Sequence, residues 1–124
     1  MEEIKLILAI PPRSLNPNSR EHWRKIRNDT KIYRLAAWAV AYSVLGKRED
    51  PLFEVARSRE VFFFKKKARR DERNMVQRLK PAFDGFQDAK LITDDDIEHL
   101  KHDEPEFHID PDKPRVEITI RRAG

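Results

Sequence analysis

The chain has no cysteine. That excludes disulfides and thiolate metal sites, and it fits a reducing compartment without establishing one. There is also no apolar run near the roughly 20 residues a membrane-spanning helix needs, so no membrane partner is expected. The three glycines and eight prolines read as loop punctuation, with no internal repeat or low-complexity tract. The opening residues, MEEIKLILAIPPR, are acidic and broken by prolines, unlike a secretion signal. A soluble protein of the cell interior is the expectation.

What the chain has in abundance is charge. Charged residues make up 39% of the 124, matching the apolar share, so a small core under a densely ionised surface is expected, in a single domain spanning 1–124. The charge is also segregated: residues 57 to 80 hold ten Lys/Arg against three Asp/Glu, and residues 84 to 112 hold two against eleven. A basic block followed by an acidic one points to a polyanion on one surface, and to cations or a basic neighbour on the other.

Alternation predicts a first strand over Glu3 to Ile10, stopped by Pro11 and Pro12. A long helix should follow, capped by Ser19 and ended by Gly46. Its buried face is expected at Trp23, Ile26, Thr30, Tyr33, Ala37, Val40 and Val44, widened by Leu35, Trp38, Tyr42 and Leu45. Arg20, Arg24, Arg27, Lys31 and Arg34 repeat the same interval one position away and form a cationic stripe. That stripe fits a nucleic-acid face as well as it fits a solvated flank.

Phe53 to Phe64 reads as a second strand, with its register obscured by Arg57, Ser58 and Arg59; the Phe62 to Phe64 run reads as core. Asn74 can cap a second helix with Met75, Leu79, Phe83, Phe86 and Ala89 inward and a kink at Pro81. Ile97 to Ile109 holds a short strand interrupted at Pro105, and Arg115 to Ile120 is a clear last strand. The fold class is α+β: a mixed sheet with two main helices packed on one face, in the order β-α-β-α-β(-β).

The chemistry concentrates between residues 69 and 96. Asp71 and the run Asp94, Asp95, Asp96 are candidate ligands for a hard divalent ion, because crowded carboxylates resist ionisation unless a cation sits among them. Lys65, Lys66, Lys67, Arg69 and Arg70 would hold phosphates beside it without reading sequence. The plainer alternatives are a solvated turn or helix cap for the aspartates and an ordinary surface position for Lys80. His22, His99, His102 and His108 lack a metal spacing and read as structural or exposed.

RDERN, LKPAFDGF and ITDDD, with LNPNSREHWR near the start, resemble the RusA-type Holliday junction resolvases, particularly their phage-borne relatives. The resemblance implies a RusA-like fold and a homodimeric, cytoplasmic endonuclease dependent on Mg²⁺, with Mn²⁺ as substitute and no small-molecule cofactor. Its substrate would be branched DNA, four-way junctions above all, cut by paired nicks in recombination and repair. Carried over by position, Asp71 and Asp95 match catalytic metal-binding aspartates, Asp94 is the adjacent acid, and Lys80 matches an essential lysine. One departure is Arg73, where better-known members carry a second aspartate; Asn74, Glu72 and Asp84 are the substitutes, and the phage-type pattern favours Asn74 or Asp84.

Geometry constrains this reading. A helix from 75 to 89 is roughly 20 Å long, so Asp71 and Asp95 fall at opposite ends unless the chain returns along it or the site is shared between protomers. Two readings of other classes stand beside the nuclease: a catalytically inactive DNA- or RNA-binding module, and a dimeric interaction protein whose basic and acidic blocks pair across an interface.

Overall fold

Alternate apolar positions build the sheet. In the computed structural model, which describes residues 3–67 and 72–123, β1 (Glu3–Leu8) buries Ile4, Leu6 and Leu8, and β5 (Arg115–Arg122) buries Val116, Ile118 and Ile120. The two pair antiparallel, Leu6 opposite Ile118, so their apolar sides share one face. β5 also pairs antiparallel with β2 (Ala56–Phe64), and β2 pairs in parallel with β3 (Leu100–His102) and β4 (Glu106–Ile109). The sheet is therefore mixed, in the order β1-β5-β2-β3, with β4 also on β2. The chain forms one small α+β domain with a mixed sheet, as expected; its order is β-α-β-α-α-β-β-β, so the expected second helix is divided and three strands, not one or two, follow it.

Pro105 lies between β3 and β4, where the sequence places the interruption, because proline cannot donate to the ladder. In β2 the inward positions are Ala56, Ser58, Glu60, Phe62 and Phe64. Phe63 points the other way, beneath the Arg115 guanidinium at 3.9 Å, so only two of the three phenylalanines join the core. The outward face carries ion pairs rather than a second layer: Lys5 with Glu117 at 2.7 Å, Arg59 with Glu106, and Arg57 and Arg121 with Asp103.

Helix α1 (Trp23–Leu45) starts later than expected. His22, not Ser19, is its N-cap, with Nδ1 accepting from the Arg24 amide at 3.1 Å. Gly46 ends it as foreseen, at φ 68° with its N–H on the Tyr42 carbonyl. The buried face is narrower than the periodicity implied: Tyr33, Ala37 and Ala41 are buried, whereas Trp23, Leu35, Tyr42 and Val44 are exposed. Small residues suffice there because the facing helix comes very close, at Gly85. Ser14 and Lys25 both bond Asp29, and the Tyr33 hydroxyl donates to the Ala9 carbonyl at 2.6 Å, which ties the loop after β1 to the helix.

The second helix is two. α2 (Glu72–Gln77) contains Asn74 rather than being capped by it, and α3 (Lys80–Asp88) begins where the kink was expected. Pro81 stands in the first turn of α3, where its missing N–H has no helical partner to lose, so the proline starts a helix instead of bending one. Met75, Leu79, Phe83, Phe86 and Ala89 are all buried as the spacing requires. Arg34 clamps α1 to the end of α3 through two bonds to Asp88, at 2.7 and 2.9 Å. No helix among the described residues is long and apolar enough to cross a membrane.

Candidate functional site

Lys80 is the first residue of α3, and Asp84 lies one turn on, at the i, i+4 spacing that puts the two on one face. The Lys80 ammonium donates to Asp84 Oδ1 at 2.9 Å and to Asp95 Oδ2 at 2.6 Å. Fifteen residues separate Lys80 from Asp95 in the chain, so the return path matters.

Two local devices provide it. The Leu91 amide bonds the Phe86 carbonyl and the Lys90 amide bonds that of Gln87, a helix-ending pair of bonds that needs Lys90 at φ 65°, and both Leu91 and Phe86 are buried in the core. Past that reversal, Leu52 and Phe53 accept the chain: their amides bond the carbonyls of Lys90 and Leu91, and Phe53 bridges Ile92 in parallel. Thr93 to Asp95 then lead back toward the start of α3. Within a single protomer, the acidic run reaches Lys80 without help from a second copy.

The three aspartates divide their labour. Asp96 is a turn cap, its Oδ1 accepting from the amides of Glu98 and His99 and from the His99 ring, which holds its carboxyl below the ordinary range. Asp94 Oδ1 accepts from the Asp95 amide at 2.7 Å. Only Asp95 reaches Lys80. Burial works against the Lys80 charge, but the bonds to Asp95 and Asp84 prevail and raise its pKa, so at neutral pH it is a fixed cation, not a base.

Of the remaining predicted residues, Asn74 is half-buried in α2. Arg24, Arg27 and Lys31 are exposed on α1, Arg24 against the Trp23 ring, while Arg20 is exposed ahead of the helix. Lys65, Lys66 and Lys67 are exposed just past β2. Asp71, Arg69 and Arg70 lie outside the described residues.

A cluster missed in the sequence adjoins the acidic pair. Glu60, on the inward side of β2, is 1% exposed and accepts from His102 Nδ1 at 2.5 Å and from the Ser58 hydroxyl at 3.2 Å. Ser58 Oγ also stands 2.7 Å from that same His102 nitrogen. A nucleophilic serine relay needs its serine and its acid on opposite ring nitrogens, so this trio is not one. The bond to Glu60 raises the His102 pKa against the effect of burial, with Asp95 and Asp103 adding to it. The clue was present: serine and glutamate at the inward positions of a strand otherwise lined by Ala and Phe. It was hidden by the ambiguous register around Arg57.

Hard carboxylate oxygens converging on one cationic position are the donor chemistry Mg²⁺ or Mn²⁺ requires, and here the Lys80 ammonium occupies the point where Asp84 and Asp95 converge. Among the described residues no three of His, Asp and Glu stand close enough together to hold an ion. No protein-family model matches the chain, and no curated protein matches it either.

Proposed function

We propose that the chain is a RusA-like, Mg²⁺-dependent endonuclease of branched DNA, which acts as a homodimer on four-way junctions. The observation that carries this reading is the convergence of Lys80, Asp84 and Asp95: parts of the LKPAFDGF and ITDDD elements lie within hydrogen-bond distance although far apart in the chain. Asp95 and Asp84 would hold the ion with Asp71, and Asp94 is adjacent. When bound, the ion would polarise the phosphoryl oxygen and supply a hydroxide at neutral pH. Lys80 offsets charge at the phosphate. The exposed Arg24, Arg27 and Lys31 on one side and Lys65 to Lys67 on another offer backbone grips. Ile32, Leu35 and Tyr42, exposed along one line of α1, offer an apolar surface for a second copy, and a dimer presents one centre to each of two equivalent strands.

Two observations favour a second reading, a DNA- or RNA-binding module without catalysis. The Lys80 ammonium neutralises Asp84 and Asp95 with no metal required, and Arg73 stands where a further aspartate is expected. A labelled synthetic four-way junction separates the two. The nuclease makes symmetric nicks in Mg²⁺ that disappear in Asp71→Asn, whereas the binding module shifts the junction with equal affinity and yields no product.

A further inference from the structure

At the β3 edge of the sheet lies an open cavity of about 470 Å³ lined by Arg57, Asp95, Ile97, Leu100, Lys101 and His102. Three of its six lining residues can be cationic. Asp95, the one carboxylate among them, is already held by Lys80, and Arg57 is steadied by Asp103. His102 is the best-fixed of the three cations. Its ring is held through Nδ1 by the buried Glu60 and by Ser58, and it meets the Phe83 ring edge-on at 5.1 Å between centroids. Nε2, the other nitrogen, has no partner among the described residues.

We infer that this cavity is a phosphoryl-oxygen subsite, in which His102 Nε2 donates to an anionic oxygen, Lys101 and Arg57 supply further positive charge, and Glu60 is the positioning residue that fixes the imidazole. Because the His102 Nδ1–H donates to the Glu60 carboxylate, Nε2 is a donor only when the ring is doubly protonated, and the buried carboxylate favours that form. The subsite opens beside the Asp95 carboxylate. It therefore suits a phosphate neighbouring the one at the acidic pair, an assignment that rests on the nuclease reading above. A free phosphate group offers the same chemistry.

The test is nitrogen-15 NMR of the histidine side chains in the full chain at about pH 6, below the ordinary imidazole value. His102 is assigned by the signal lost in His102→Gln. Inorganic phosphate is titrated against chloride at matched ionic strength, and a metal-free synthetic four-way junction is titrated separately. The expected result is a saturable shift at His102 with both probes, with His22 and His108 unmoved, and a junction affinity at least about 5-fold weaker in His102→Gln. In Glu60→Gln, which keeps an acceptor for Nδ1 but removes the charge, the phosphate-induced shift should need several-fold more phosphate. A shift with phosphate alone upholds the subsite and discards DNA as its ligand. No saturable shift with phosphate, shifts of equal size at His22 and His108, or a bound junction that leaves His102 unmoved would overturn the inference; the wild-type measurements remain decisive if a variant misfolds.

Discussion

Replacing Gly85 with alanine should destabilise the fold, against the usual direction of that change in a helix. In an open helix interior alanine is favoured by about 1 kcal/mol. Here a Cβ on Gly85 would overlap the Arg34 carbonyl oxygen and stand 2.9 Å from both Ala37 Cβ and the Trp38 amide nitrogen. Two of these three atoms are α1 backbone, which cannot swing aside, so the helices themselves must part. Overpacking of this kind costs about 1–3 kcal/mol, and the rigid neighbours place it at the upper end. After subtracting the helix gain, about 1–2 kcal/mol of stability is lost, or roughly 3–10 °C in Tm for a domain of this size. Circular dichroism melts of the wild type and Gly85→Ala measure it directly. A Tm equal to or above wild type would refute the close approach of α3 to α1. The consequence reaches the candidate site, because α3 carries Lys80 and Asp84, and any parting of the helices moves both.

Lys80→Ala should change Tm little, since the lysine is mostly exposed and such pairs contribute about 0–1 kcal/mol, while on the proposed nuclease reading junction nicking falls by about 100-fold or more; a variant that nicks at the wild-type rate removes Lys80 from that proposal. Lys90→Gly should raise Tm, because glycine relieves the φ 65° conformation at a gain of roughly 0.5–1 kcal/mol; a lower Tm would contradict the chain reversal after α3. The His102 pKa is raised in the folded state above its ordinary 6.5, so the stability it contributes is complete below that value and lost as pH rises through the folded value. Metal-free melts should therefore decline from about pH 6.5 upward over the window of the raised value, and His102→Gln should flatten that decline. Parallel curves for the two proteins would discard the pairing with Glu60.

Much of the fold was legible because periodicity survives packing where one face is buried. β1 and β5 alternate cleanly, and Gly46 stops α1 with the residue type that adopts its positive φ at least cost. Pro81 was ambiguous in principle: the same proline bends a helix when internal and starts one when placed in the first turn, and only the break at Arg78 and Leu79 decides. The apolar stripe of α1 overstated burial because periodicity reports what a helix could cover, whereas burial depends on what faces it. For the candidate site, the sequence placed Lys80, Asp84 and Asp95 in one motif set, but not their contact. That contact depends on the reversal at Lys90 and the Phe53 to Ile92 bridge, neither of which has a local signal. Glu60 and Ser58 stayed hidden for a different reason, since a one-residue shift of β2 would have turned both to solvent.

On the proposed nuclease reading, a metal takes from Lys80 the position that Asp84 and Asp95 share. Anomalous scattering from a crystal soaked in saturating Mn²⁺ tests it most directly. A peak within coordination distance of Asp95 and Asp84, absent in Asp95→Asn, is the predicted result; density free of manganese at those oxygens, with Lys80 still bridging them, would contradict it.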